Sequence, residues 1–226
     1  KTNLLEAIVY LSCGRSPRAR SDREMIGFDA GAARLTATVL AREREFRVQA
    51  ELFRDRRRKL SVNKVPAKNS AALSEVYHTV YFRPEDLFLI REGAAARRKF
   101  LDTALCQLRP RYAAALTEYN RLYEHKTRIL RDSEERPDLL AALPDFNEQM
   151  VRFGAVLIHY RAQFAQALGK YAAVHHRECS GGKETLEICY QTVSSVTDPL
   201  GDLAVVTGQL REHMERHQMA ERASPL

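Results

Sequence analysis

The chain has 226 residues, 45% of them hydrophobic, with 36 Lys and Arg against 29 Asp and Glu, a formal charge of +7; that is apolar material for a core and excludes wholesale disorder. Its longest stretch free of charged side chains is ten residues, Ile188 to Thr197, against the roughly twenty of a spanning helix, and neither a secretory signal nor a C-x-x-C pair is present, so a soluble, cytoplasmic protein with free thiols and no membrane partner is expected. Of the basic residues 28 are Arg, the better fork for phosphate oxygens; a polyanion partner is one explanation and an Arg-rich proteome the other.

Residues 3–12 place Leu4, Leu5, Ile8, Val9 and Leu11 at helical spacing, with Gly14 as the stop. Residues 15–24 read as a basic, turn-prone loop. Leu35, Ala37 and Val39 alternate with Thr36 and Thr38, and Phe46, Val48, Ala50 and Leu52 alternate with polar partners, the period of half-buried strands. Arg54 to Lys59 bridges to a short third strand, Leu60 to Asn63, which completes an antiparallel meander. Val76 to Phe82 is apolar, β-branched and aromatic and predicts a further, more deeply buried strand.

After Pro84 the pattern turns helical, over 97–108 and 110–131, with Pro110 in a first turn. From Pro144 apolar residues recur at Phe146, Met150, Phe153, Leu157, Tyr160, Phe164, Leu168 and Tyr171. That stripe predicts one long helix over 145–178, on the order of 50 Å at about 1.5 Å per residue. Residues 102–178 are thereby expected to fold as an antiparallel helical arm joined near Ser133 to Pro144. Ser180-Gly181-Gly182 ends it, Thr185 to Val193 is expected to return as a strand, and Gly201 to Glu221 is a last helix. A β-rich head interrupted by a helical excursion is an α/β protein with an inserted helical subdomain.

Lys1-Thr2 directly precedes the first helix. These are the last two residues of the phosphate loop G-x-x-x-x-G-K-[ST], whose amides cradle phosphates, whose Lys reaches the β/γ oxygens and whose hydroxyl ligates Mg²⁺. Alone the pair carries little. With its continuation, Asn3-Leu4-Leu5-Glu6-Ala7-Ile8, then Leu11-Ser12, Gly14-Arg15-Ser16 and Arg18, it resembles the first helix and loop of the bacterial RecF family, recombination-repair ATPases related to ABC transporter heads and SMC proteins. Val80 to Leu87 is similar to that family's V-x-F-x-P-E-D-L block and Arg97 to Asp102 to its R-R-x-F-L-D block. Arg109-Pro110, Tyr112, Leu116 and Tyr119-Asn120-Arg121 are similar to the start of its helical arm, and Ser180 to Tyr190 to the strand leaving the arm. The chain departs from the pattern at Pro17, where an aromatic is usual, and at Leu122 to Lys126, which lacks the usual Gln-Arg-Asn.

The resemblance implies a P-loop ABC/SMC-like ATPase head (lobe I, mixed β sheet) with an inserted antiparallel helical arm. Residues 1–101 would form part of lobe I, 102–180 the arm as a lid or dimerisation subdomain, and 181–226 a strand and helix returning towards the head. It implies ATP and Mg²⁺ as cofactors, with Lys1, Thr2, Asn3 and Arg15 at the nucleotide and Thr2 on the metal. Glu85 or Asp86 would be the catalytic carboxylate that senses metal and attacking water; a helix-capping acidic pair after Pro84 is the other reading of those two residues. It also implies ATP-driven homodimerisation on double-stranded or junction DNA, RecO and RecR as partners, recombinase loading in gap repair, replication-fork maintenance and the SOS response, and a nucleoid-associated location. The glycines of the phosphate loop are expected before Lys1, and the signature loop and Walker B carboxylates after Leu226. Both ends read as cut, and a weak DNA-dependent ATPase would belong to the complete protein.

Two basic clusters are the stronger candidates for polyanion contact. One is Arg15 with Arg18, Arg20 and Arg23; the other is Arg54, Arg56, Arg57, Arg58 and Lys59 at a hairpin tip, which can track DNA phosphates without reading bases. A solvated face is the plainer alternative for both, and Arg97-Arg98-Lys99 is a third cluster. Ser180-Gly181-Gly182 resembles an ABC signature loop, but its place after the long helix suits a helix terminator. His175-His176 with Cys179 matches no structural zinc spacing. Two other classes stay open: another SMC- or ABC-like chromosome or repair ATPase, against which the short, self-closing arm argues, and a non-hydrolysing DNA-binding scaffold.

Overall fold

A computed structural model describes residues 2–223, with side chains as far as Gln218. The chain divides into two units, residues 1–110 and 111–226. The first contains helix α1 (Thr2–Cys13), strands β1 (Ala32–Ala41), β2 (Arg44–Phe53), β3 (Lys59–Val62) and β4 (Val65–Ala67), and helices α2 (Ala71–Ser74) and α3 (Ala94–Leu108). The second contains α4 (Pro110–Asp132), α5 (Leu143–Cys179) and α6 (Leu203–Ala223).

The alternation read from the sequence sets the sheet. Leu35 lies opposite Ala50 and Ala37 opposite Val48, so the apolar residues of both strands share one face. That face packs on Tyr10 and Leu11 of α1, Leu60 of β3 and Leu73 of α2, with Val48, Ala50 and Leu52 fully buried. Burying a side chain of the Val or Leu kind contributes about 1.5–3 kcal/mol. The other face is polar: Thr36 lies opposite Gln49, and Arg34 pairs with Glu51 at 2.8 Å.

The sheet runs β1-β2-β3-β4, and each pairing is antiparallel. The sheet expected to be mixed is therefore antiparallel among the described residues. Its fourth strand is the short β4 and not Val76 to Phe82. Those residues belong to no ladder, and none is buried; Val76 lies in a turn, its N–H donating to the Leu73 carbonyl at 3.0 Å, and Val80 and Phe82 are exposed. β-branched and aromatic residues favour extended backbone, but a strand also needs a backbone partner. Here the partner is a side chain: the Thr79 N–H donates to Gln107 Oε1 at 3.0 Å, and Gln107 Nε2 donates to the Thr79 carbonyl at 3.3 Å. Thr185 to Val193, also expected as a strand, has no ladder either. It lies along a helix instead, with Ile188 seated against Gly169 of α5.

Both two-residue hairpin turns hold their central residues at positive φ, Arg42-Glu43 at 51° and 60° and Asn63-Lys64 at 51° and 68°. Such turns match the right-handed twist of the strands and favour Asn-Gly. Asn63 suits its place and accepts the Arg47 N–H at 2.7 Å. Arg42-Glu43 has neither Asn nor Gly.

In the second unit the stripe expected over 145–178 is helix α5, Leu143–Cys179, opened by Pro144 in its first turn. α4 lies antiparallel to it: Tyr112 near the start of α4 meets Tyr160 edge-on at 6.0 Å, and His125 further along stacks on Phe146 at 6.1 Å. Arg161 Nε donates to the Tyr112 hydroxyl at 2.9 Å. α6 is held to α5 by Arg211, which reaches both oxygens of Glu148 at 2.9 Å, and by Leu210 over Gly154, where a Cβ would stand 3.0 Å from Leu210 Cδ2. No described helix is long and apolar enough to cross a membrane.

The strained turn gives a stability test. Replacing Arg42-Glu43 by Asn-Gly is expected to raise the unfolding free energy by about 1–2 kcal/mol, read as a higher denaturant midpoint at unchanged slope; an unchanged or lowered midpoint would show that the turn carries no strain.

Candidate nucleotide and polyanion site

α1 presents its N-terminus with Thr2 and Asn3 exposed and with no acidic residue in its first turn. The free amides and positive end of a helix suit an anion there. Lys1, which the resemblance implies at the nucleotide, lies outside the described residues.

The opposite end of α1 is buried and anchors the following loop. Gly14 closes the helix at φ +67°, its N–H donating to the Tyr10 carbonyl at 2.7 Å, and a Cβ on it would stand 2.5 Å from Ser70 Cβ. Only glycine meets both demands. From Gly14 to Asp22 the loop is braced at several points. Ser16 Oγ donates to Glu6 Oε1 and accepts the N–H groups of Arg18 at 3.0 Å and Ala19 at 2.7 Å. Arg58 Nη1 donates to the Gly14 carbonyl at 2.6 Å, to the Tyr10 hydroxyl at 2.9 Å and to Asp22 Oδ2 at 3.3 Å. Arg83 Nη1 donates to the Pro17 carbonyl at 2.8 Å. Burial holds the Tyr10 phenol far above its ordinary value despite the Arg58 charge beside it, so the group stays neutral. What the braced loop leaves outward is cationic: Arg15, Arg18 and Arg20 are exposed, with Arg18 3.9 Å from Glu6.

The hairpin-tip cluster divides. Arg58 directs its guanidinium inward, as above, and Arg54 donates to the carbonyls of Ala30 at 2.8 Å and Gly27 at 2.9 Å, closing the loop before β1. Arg56, Arg57 and Lys59 are exposed, Arg56 lying over the Phe53 ring at 4.0 Å.

Glu85 and Asp86 open the 3-10 turn Pro84–Leu89. Asp86 caps it: Oδ2 accepts the Arg83 N–H at 2.8 Å and Oδ1 accepts Arg83 Nη2 at 2.9 Å. The Arg83 side chain, ahead of its N–H and charge, holds the Asp86 carboxyl below the usual carboxylate range. Glu85 is exposed beside it.

The segment that leads into this turn, 77–83, is tied to the buried end of α1. Ser12 and Thr79 hydroxyls meet at 2.6 Å, Ser74 Oγ donates to the Ser12 carbonyl at 2.8 Å, and His78 Nε2 lies 3.0 Å from the Gln107 carbonyl. Ser12, Thr79 and Gln107 thus fasten the segment before the Glu85 turn to the buried end of α1, and Arg83 ties that turn to the loop after α1; none of the four has a role assigned from the sequence. Ser12 and Arg83 fall inside motifs that give them no role of their own, Thr79 falls in the expected strand 76–82, and a lone Gln on a helix gives no sequence signal. Among the described residues no group of three or more His, Cys, Asp or Glu side chains is placed to hold a metal ion.

No family model matches the chain. The DNA replication and repair protein RecF of Agathobacter rectalis is 34% identical over 191 residues, 84% of this chain and 53% of that protein. RecF of Streptococcus pyogenes serotype M49 is 36% identical over 195 residues, 85% and 51% of the two chains. A solved structure of the recombination mediator protein RecF with ATPγS, in the RecFOR pathway, superposes with a TM-score of 0.90 at 26% identity, over 98% of this chain and 59% of that one.

The chain belongs to the RecF family. It spans about half the length of the curated RecF relatives it matches. RecF proteins are recombination mediators of DNA replication and repair, and solved RecF structures carry ATP or ATPγS. The antiparallel four-stranded sheet with long helices is a RecF-like mixed α/β fold.

The Asp86 pair makes a pH prediction. Because the folded carboxyl is depressed, its stabilising effect is fully present above the ordinary carboxylate value of about 4 and is lost as pH falls through the lowered folded value. The stability gap between wild type and Asp86→Asn is expected to be constant from about pH 7 to about pH 5 and to shrink by about pH 3, followed by denaturant titration; a gap independent of pH would contradict the assignment.

Proposed function

We propose that this chain is part of an ATP-dependent DNA-binding recombination mediator, an ABC/SMC-like head with a helical arm, in which nucleotide phosphates lie on the N-terminus of α1. The observation that carries this reading is the exposed, acid-free start of α1 within a chain that superposes on nucleotide-bound RecF. The donor set fits a polyphosphate. Lys1 would neutralise β/γ charge, Asn3 and the first-turn amides would cradle oxygens, and Arg15 would reach in from the braced loop. Mg²⁺ would be held by the Thr2 hydroxyl together with phosphate oxygens and water, the usual manner for this ion. Bound ATP-Mg²⁺ supplies the phosphoryl group and the charge that favours in-line attack.

Of the two candidate carboxylates, Glu85 is the one presented to solvent, while Asp86 is engaged by Arg83. Glu85 is therefore proposed to orient the attacking water, with Asp86 fixing the turn that carries it. Arg18, Arg20, Arg56, Arg57 and Lys59 are proposed to contact phosphates of double-stranded or junction DNA. Such contacts carry affinity without sequence preference. Arg58 enters this surface through the loop that it holds. ATP-driven homodimerisation, work with RecO and RecR in recombinase loading at gaps, and slow DNA-dependent hydrolysis by the full-length protein follow as parts of the same proposal.

The test uses full-length protein. Thr2→Ala and Lys1→Ala are expected to abolish the gain in DNA affinity and the dimer mass produced by Mg-ATP, with the nucleotide-free melting temperature unchanged. Arg56, Arg57 and Lys59 replaced together by Ala are expected to lower the salt slope of DNA binding by roughly 2–3. ATP-dependent dimerisation that survives both Thr2→Ala and Lys1→Ala would overturn the nucleotide assignment.

A further inference from the structure

We propose that Arg83 is a positioning residue, a two-armed latch that sets the loop carrying Arg15 against the turn carrying Glu85. One arm, Nη1, donates to the Pro17 carbonyl at 2.8 Å; the other, Nη2, donates to Asp86 Oδ1 at 2.9 Å. The Arg83 N–H closes the circuit on Asp86 Oδ2 at 2.8 Å. Two segments 66 residues apart in sequence are thus held through one planar group.

The chemistry suits a latch at each end. Pro17 has no N–H, so the chain at that point can be held only through its carbonyl, and its ring restricts φ and with it the direction of that carbonyl. Asp86 offers two oxygens, which take the side chain and the backbone of the same residue, so the guanidinium is oriented before it reaches the loop. Arg58 braces the same loop at Gly14 and Asp22, and Ser16 braces it from within, which leaves Pro17 as the place where the second segment is joined. The consequence is that Arg15 and Glu85, two exposed side chains of opposite charge, are presented on one braced framework before any ligand arrives. Such preorganisation lowers the ordering cost of binding. A lysine at this position would keep a cation beside Asp86 but lacks the second arm of a planar fork.

This consequence rests on the nucleotide reading of the site; the latch itself does not. In full-length protein, Arg83→Lys and Arg83→Gln are compared with wild type by hydrogen exchange, melting temperature and Mg-ATP affinity. For Arg83→Lys the Arg18 and Ala19 amides are expected to exchange on the order of tenfold faster. The 84–89 turn should keep its wild-type exchange and the melting temperature should barely move, while Mg-ATP binding weakens about fivefold or more. Arg83→Gln should loosen loop and turn together. Loop exchange unchanged in both variants, or faster exchange spread evenly over the first unit, would overturn the latch. Faster loop exchange with unaltered Mg-ATP affinity would overturn the positioning role. A wild-type protein that does not bind Mg-ATP would instead overturn the nucleotide reading, with the exchange data still deciding the latch.

Discussion

The Arg58 guanidinium lies where helix, loop and sheet converge. From the residue just before β3 it reaches the Gly14 carbonyl that ends α1, the Tyr10 hydroxyl one turn earlier, and Asp22 at the far end of the loop. A partly buried cation is tolerated only where acceptors replace its water, so three separate segments must arrive together. Gly14 is the backbone condition for this, since a side chain there would meet Ser70. Once Gly14 and Asp22 are fixed, the residues between them can only bow outward, and what they carry outward is Arg15, Arg18 and Arg20.

The same logic extends to the second edge of the site. Asp86 orients Arg83, and Arg83 holds Pro17. Further in, the Gln107 carboxamide occupies the N–H and C=O of Thr79 and so does the work of a neighbouring strand for one residue. The segment 77–83 thereby leads into the Pro84–Leu89 turn without belonging to the sheet. Stability and display are coupled here: the groups that complete the hydrogen bonding of the first unit are those that set where its exposed charges stand.

Much of this was legible in the sequence. Periodicity marked α1, β1, β2 and α5 within a few residues, because each buries one face and the burial dictates the spacing. The blocks around Lys1, Arg83 and Arg97 pointed to the RecF family, as the comparisons show. What the sequence left dark was the partner of each group. Val76 to Phe82 has the composition of a strand, and composition does not say whether a ladder or a glutamine will satisfy it. Thr185 to Val193 failed for the same reason, since Ile188 finds Gly169 of a helix. β4 is three residues long with Pro66 at its centre and gives no periodic signal. Within the basic clusters a run of Arg looks uniform, yet Arg58 turns inward and Arg54 is tied to the carbonyls of the loop before β1, while Arg56 and Arg57 face water.

Arg58→Met in the full-length protein tests the central claim most directly, because it keeps the apolar stem and removes the donors. If Arg58 holds the loop, the nucleotide-free protein should melt lower by roughly 5 °C or more and the 14–22 amides should exchange faster, while the salt slope of DNA binding stays at its wild-type value. An unchanged melting temperature with a salt slope reduced by about 1 would contradict the account and make Arg58 a phosphate contact.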